Sequence, residues 1–138
     1  LFDQSDIVVM SAAVADAKPS QYSDIKISTE AYTHIDLTEN VDIIAELSKR
    51  KKSQFIIGFA AQTDSDILKK AASKLESKGL DVIYANDVSG GKVFGSDETS
   101  GHIITKDGQL IEIPTTSKET LAHKLLSTAI DKLGYPND

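Results

Sequence analysis

Three short stretches of small and polar residues carry the side chains best suited to binding a ligand. They span positions 11–16, 58–63 and 86–89, and each directly follows an apolar run. Apolar runs of this kind are typical of buried parallel strands, and ligands of open parallel sheets bind beyond the carboxyl ends of the strands. We therefore expect the three stretches to converge on one cleft, where Asp16 offers a charged hydrogen-bond acceptor.

An aromatic ring and a row of lysines are the other candidates for chemistry. Phe59 lies at the end of the second apolar run, where its ring could face a planar base, although a core position under a loop is the commoner role. Lys70, Lys74 and Lys78 recur every four residues. Such a stripe is usually a solvated flank whose stems cover the apolar edge of a helix. The residues alone leave both a binding role and a structural role open.

The order of the apolar runs predicts an α/β fold, a Rossmann-like doubly wound parallel sheet. We expect strands that are buried on both faces, alternating with helices that each bury one apolar stripe. The predicted strands are 7–10, 54–60 and 81–85. The predicted helices are 41–51, with Asn40 as the N-cap, and 67–78, with a stop at Gly79.

Further segments complete the predicted fold. Residues 19–32 lack periodicity and predict an exposed flap, and 34–37 predict a short strand. An antiparallel hairpin is expected at 102–113, turned by Asp107-Gly108 and closed by Pro114. A last helix, capped by Ser117, then packs one broad apolar face on the sheet. That face comprises Leu121, Ala122, Leu125, Leu126, Ala129, Ile130 and Leu133.

Composition narrows the functional class. The net charge of −6 over 138 residues argues against a general nucleic-acid binder. The absence of cysteine excludes disulfides, and the three histidines share no metal-ligand spacing, so no metal site is predicted. No apolar run spans a bilayer and no signal peptide is present, so we expect a cytoplasmic protein without membrane contact. A first residue other than Met indicates a piece of a longer chain.

Four motifs resemble one family in its own order. They are Ala-Ala-Val-Ala-Asp at 12–16 with Lys18-Pro19, Gly-Phe-Ala-Ala-Gln-Thr at 58–63, Gly-Leu-Asp at 79–81, and Ala-Asn-Asp-Val-Ser at 85–89. The series is similar to phosphopantothenoylcysteine synthetase, the ligase half of a bacterial flavoprotein of coenzyme A biosynthesis. Residues 1–138 would be the CTP-binding part of that domain, without the family's Gly-rich N-terminal segment.

The resemblance implies a ligase that joins 4′-phosphopantothenate to cysteine through an acyl-cytidylate made from CTP. Mg²⁺ is implied as the partner of the triphosphate. The family also implies a homodimer, fused to or paired with a flavin-dependent decarboxylase domain. The alternative is a nucleotide-binding module that does no chemistry alone. A dinucleotide-dependent oxidoreductase is disfavoured, because no Gly-x-Gly-x-x-Gly follows any strand.

Individual residues carry over from the family's motifs. Lys74 and Lys78 match the residues that reach the phosphates, and Phe59 matches an aromatic residue in contact with the nucleotide. The start of the predicted helix at 41 would add backbone N–H groups. The remaining implied nucleotide-binding positions are Met10, Ser11, Ala12, Asp16, Asn40, Val41, Asp42 and Ile43.

The flap carries the implied catalytic lysine. The family has Lys-x-Lys-Lys after the Asp-containing loop, and its first lysine holds the activated acyl intermediate. One register makes Lys26 that residue, followed by Ser28 and Thr29. Another makes Lys26 the middle lysine and Asp24 the first. We prefer the first register, because it keeps a cation where acyl and phosphate charge must be stabilised.

Overall fold

The computed structural model describes residues 1–28, 34–62, 66–87 and 96–135. After a 3-10 helix at Phe2–Gln4, the strands and helices follow in chain order. They are β1 Ile7–Val9, β2 Ala17–Pro19, β3 Leu37–Glu39, α1 Ile43–Arg50, β4 Phe55–Gln62, α2 Ile67–Ser77, β5 Val82–Asp87, β6 Glu98–Thr105, β7 Leu110–Ser117 and α3 Lys118–Leu133. None of these helices is long and apolar enough to cross a bilayer.

A five-stranded sheet with the order β1-β4-β5-β6-β7 forms the centre of the fold. The first three strands are parallel, with Ile7 opposite Phe55 and Phe59 opposite Tyr84. The last two strands run antiparallel as a hairpin. Parallel neighbours need a crossover, and α1 and α2 supply it. The predicted α/β class, with its added hairpin and C-terminal helix, is confirmed.

Strand alternation divides the core into two layers, one on each face of the sheet. On β4, Ile57 packs with Leu121, Leu125 and Ala129 of α3. Its neighbour in the strand, Ile56, packs with residues of α1 and α2 on the opposite face. Because successive strand side chains point to opposite faces, β4 and β5 are buried between helices on both sides. The helices thus form outer layers around the sheet.

The helix α2 has the end that its sequence predicts. Ala71 and Leu75 are buried against the sheet. Gly79 adopts a φ of 64°, and the Leu80 N–H donates to the Leu75 carbonyl at 3.0 Å. Such a left-handed residue closes a helix without the steric cost of a Cβ atom. Residues 63–65, which precede α2, lie outside the described part.

The strand β1 differs from the prediction of a strand buried on both faces. It lies at the edge of the described sheet, and 46% of Val9 is exposed. Its only partner among the described strands is β4, so the apolar pattern alone overestimated its burial. A broad apolar face on α3 is also only partly confirmed. Leu121 and Leu125 are buried there, whereas Ala122 and Leu126 are exposed.

Several predicted boundaries shift because tertiary partners select them. A strand forms at Leu37–Glu39 instead of 34–37, since it pairs antiparallel with Ala17–Pro19 as a separate small sheet. The hairpin strands are longer than predicted, and Pro114 lies inside β7 rather than closing it. β7 is an edge strand, where a missing N–H group is tolerated. The described flap residues 20–28 are exposed, while 29–32 lie outside the described part.

Candidate functional site

A cavity of about 280 Å³ lies at the carboxyl ends of β1 and β4. It is bounded by the loop after β1, the start of α1 and one side of α2. The lining includes nearly all of the positions proposed for nucleotide binding. These are Met10, Ala12, Asp16, Asn40, Val41, Asp42, Ile43, Phe59, Lys74 and Lys78. The expected convergence therefore exists for the first two stretches, whereas Asn86 of the third lines a different cavity.

Asn40 fixes the loop that carries Asp16. Its backbone N–H donates to the Asp16 carbonyl at 2.8 Å, and its side-chain Nδ2 donates to the Ala15 carbonyl at 2.8 Å. The prediction that Asn40 caps the following helix is wrong. A carbonyl of the neighbouring loop takes its side-chain donor, and the helix begins three residues later. The Asp16 residue itself is exposed at the cavity.

Asp42 is the N-cap of α1, and its carboxylate makes two contacts. One oxygen accepts from the Ala45 N–H at 3.1 Å, and the other lies 2.8 Å from Lys78 Nζ. The hydrogen bond from Lys78 is the main cause that lowers the pKa of Asp42. The Ala45 N–H at this helix start is therefore satisfied by the cap.

The two lysines of the cavity lie one turn apart on α2, but they differ in their partners. Lys78 pairs with Asp42, as described above. Lys74 has no ion pair within the described ranges 1–28, 34–62, 66–87 and 96–135. Lys70 lies on the exposed side of α2, outside the lining of this cavity. Two of the three lysines that recur along α2, Lys74 and Lys78, therefore line the cavity.

The floor of the cavity depends on a glycine inside β4. A Cβ atom at Gly58 would lie 2.6 Å from Cδ1 of Leu80. Gly58, Leu80 and Ile83 all line the cavity, and we did not predict the last two from the sequence. A glycine within a buried strand marks a close approach, and this was the available signal.

Phe59 lies between this cavity and a second one. Its half-buried ring meets Tyr84 edge-on, at 6.2 Å between centroids and 72° between planes. Tyr84 in turn hydrogen-bonds Thr99 at 2.9 Å, and burial raises its pKa. The second cavity, about 500 Å³, lies on the α3 face and includes Ser11. Phe59 thus lines the first cavity together with both lysines, and it also borders the second.

The structure does not bring Lys26 to either cavity. It is exposed within the flap, and it is absent from the residues that line both spaces. No cluster of three or more His, Cys, Asp or Glu side chains suited to a metal occurs in the described part of the chain. The site is thus a groove of small residues, two carboxylates, two ammonium groups and one aromatic ring.

Comparison with known proteins identifies the family. Residues 1–133 match the model of the DNA/pantothenate metabolism flavoprotein C-terminal domain. The chain belongs to this family. It is 41% identical over 128 residues to the coenzyme A biosynthesis bifunctional protein CoaBC of Bacillus subtilis, which covers 91% of this chain and 31% of that protein. The chain therefore spans about a third of the length of such relatives.

Solved structures support the same flavoprotein C-terminal family. The crystal structure of the C-terminal domain of a CoaBC protein matches with a TM-score of 0.74 and 31% identity, covering 98% of this chain and 58% of that one. A Cab2 mutant in complex with phosphopantothenate-cysteine shares the fold, with a TM-score of 0.53 at 14% identity, over 72% of this chain and 33% of that one.

Proposed function

We propose that this domain binds CTP for a ligase of coenzyme A biosynthesis, which joins 4′-phosphopantothenate to cysteine. The observation that carries the proposal is the cavity at the carboxyl edge, where Asp16, Lys74 and Lys78 surround a floor of small and apolar residues. Family membership and the names of the relatives support the pathway.

The proposed binding mode follows from the distribution of charge. Lys74 and Lys78 hold the phosphates as point charges, and Phe59 offers an aromatic edge or face to the base. Asp16 accepts a hydrogen bond from a ribose hydroxyl or an exocyclic amine. Small residues at 12–15 let the chain approach the ligand closely. Asn40 orients this loop and acts as a positioning residue.

The proposed reaction has two steps. A carboxylate oxygen of 4′-phosphopantothenate attacks the α-phosphorus of CTP, and pyrophosphate leaves. The amine of cysteine then attacks the acyl carbon, the bond to the cytidylate breaks, CMP leaves, and the amine loses a proton. Lys26 stabilises the negative charge on the acyl oxygen during the second step, once its flap closes over bound substrate.

Mg²⁺ belongs to the substrate in this proposal. The described residues contain no cluster able to cage a metal ion. Mg²⁺ prefers to keep water ligands and to bind phosphate oxygens with one or two carboxylates. The ion would neutralise the charge of the departing pyrophosphate.

The larger assembly is part of the same proposal. Apolar side chains are exposed on the flap and on the segment that follows it, with Tyr22 at 89% and Ile25 at 81%. A patch of this kind suits a subunit contact, so we propose a homodimer through this region. The relatives are named bifunctional proteins. We propose that a flavin-dependent decarboxylase domain supplies the second activity. The proposed location is the cytoplasm.

A second candidate is a nucleotide-binding module that performs no chemistry alone. The position of Lys26 outside the cavity favours it. Calorimetric titration with CTP and with ATP, together with pyrophosphate release in the presence of 4′-phosphopantothenate, separates the two functions. The ligase requires CTP binding and pyrophosphate release. Binding without release selects the module, and the absence of binding rejects both.

A further inference from the structure

The ion pair between Asp42 and Lys78 occupies part of the proposed phosphate site. Lys78 Nζ lies 2.8 Å from the carboxylate, and the exposed fractions of the two side chains are 28% and 43% respectively. Both residues line the cavity at the carboxyl edge. A phosphate that uses Lys78 must therefore either replace this carboxylate or lie beside it.

The position of Asp42 is fixed independently of the lysine. Its other oxygen caps α1 through the Ala45 N–H, at 3.1 Å. An N-cap of this kind holds the side chain in one orientation. The carboxylate therefore stays beside Lys78 without having to be ordered each time the pair forms, which reduces the entropic cost of forming the pair.

The charges of the cavity lining cancel. Its ionisable groups are Asp16, Asp42, Lys74 and Lys78, so two carboxylates face two ammonium groups. A polyanion gains little from such a lining unless one lysine is released from its carboxylate. Asp42 is the carboxylate that touches a lysine within the described part of the site, because no described ion pair involves Asp16.

We infer that Asp42 is an internal competitor of the phosphate chain for Lys78. This inference rests on the proposed function in one respect, that the cavity takes a polyphosphate. The carboxylate holds Lys78 in place when the site is empty, weakens the binding of the polyphosphate, and pairs with the lysine again when the ligand departs. Lys78 and Lys74 are therefore unequal, since within the described residues Lys78 has a carboxylate partner to exchange and Lys74 has none. Asp42 sets the affinity for the polyphosphate.

The decisive variant is Asp42→Asn. Asparagine is as good an N-cap as aspartate, so α1 keeps its start while the competing charge is lost. Inorganic tripolyphosphate is the probe, because it has no base or sugar that Asp42 could contact. Calorimetry should show about threefold to fivefold tighter binding by Asp42→Asn, the upper part of the range for one partly exposed ion pair. Thermal melting checks that the cap is preserved.

One further variant controls for the change in net charge, and a double variant tests whether the gain depends on Lys78. Asp6→Asn makes the same change in net charge just before β1, at the amino ends of the parallel strands. This variant should leave tripolyphosphate affinity within about twofold of the unmodified protein. The gain from Asp42→Asn should also fall to about twofold or less when Lys78→Gln is already present, because no lysine is then freed.

The outcomes separate this inference from the proposed function. Equal or weaker tripolyphosphate binding by Asp42→Asn overturns the inference, as does a gain of the same size in the Lys78→Gln background. A parallel titration of the unmodified protein with CTP reports on the proposed function. Failure of CTP to bind rejects that function, whereas CTP binding with no gain for Asp42→Asn rejects only the competitor.

Discussion

Phe59 is the residue whose role is most open to direct test. Its ring contacts Tyr84 and borders both cavities, so it contributes to packing as well as to the site. Phe59→Ala should weaken CTP binding by about 1 to 3 kcal/mol, the range for losing one base-stacking contact. Calorimetric titration measures this change.

Phe59→Leu is the matched control, because it keeps apolar volume against Tyr84 and removes the aromatic face. It should weaken CTP binding nearly as much as alanine while melting closer to the unmodified protein. If Phe59→Leu binds CTP with unchanged affinity, the ring serves packing alone.

The lysines of α2 give a second residue-scale prediction. CTP affinity should fall as salt rises, because exposed charges are screened over about 8 Å at physiological ionic strength. The fall should be shallower for the Lys74→Gln, Lys78→Gln double variant than for the unmodified protein. Affinity measured at several salt concentrations gives the slopes.

The same helix provides the control. Lys69 and Lys70 are exposed and lie outside the cavity lining. A Lys69→Gln, Lys70→Gln variant makes an identical change in net charge and should keep the original salt slope. Equal salt slopes for all three proteins would show that Lys74 and Lys78 are a solvated flank of the helix and do not bind the phosphates.

Among the helices and strands, Asn40 joins the small-residue loop to the segment between β3 and α1. Asn40→Ala should destabilise the fold by about 1 kcal/mol, the usual contribution of one hydrogen bond, and leave the Ala15 carbonyl without its side-chain donor. Amide exchange at 12–16 should become faster, and CTP affinity should fall although no ligand contact is removed.

Glu39→Ala is the control for this variant, because Glu39 is an exposed neighbour at the end of β3. It should leave exchange in the 12–16 loop unchanged. Unaltered exchange in Asn40→Ala would show that the backbone bond from Asn40 to Asp16 holds the loop by itself.

Local sequence predicted which helices and strands form better than it predicted the residues at which they begin. Asn40 and Asp42 are both good N-cap types, and the choice between them depends on the Ala15 carbonyl and on Lys78, which are distant in sequence. The strand β3 was misplaced for the same reason, since its register is set by β2. By contrast, Gly79 and Ser117 act through near neighbours, and both predictions are confirmed.

At the level of the whole molecule, the sequence correctly predicted that the loops after β1 and β4 meet, but it predicted neither that Asn86 lines the other cavity nor that β1 is an edge strand of the described sheet. Parallel topology brings the ends of β1 and β4 together, so the placement of Asp16 near Phe59 follows from pattern alone. An apolar run cannot reveal whether a strand has one neighbour or two, so the exposure of Val9 in β1 was missed. Packing across the cavity, such as Leu80 beneath Gly58, was equally invisible.

A test of the flap lysine, Lys26, requires the longer protein, because the chain spans about a third of the length of its relatives. In an enzyme completed to the relatives' full length, Lys26→Gln should lower turnover far more than CTP affinity, since its charge acts late in the reaction. Asp24→Ala should leave turnover nearly unchanged. Steady-state kinetics combined with CTP titration tests both, and a damaging Asp24→Ala with a silent Lys26→Gln would establish the other register.

An amide NMR titration of the 138-residue chain with CTP tests directly whether the nucleotide binds in the cavity at the carboxyl edge. We predict saturable shifts at 10, 12–16, 40–43, 58 and 59, which line the cavity at the carboxyl edge. The amino edge, where Lys51 pairs with Asp81 and Lys132 with Asp107, should not respond. No shifts at high CTP concentration, or shifts confined to that amino edge, would contradict nucleotide binding at this site.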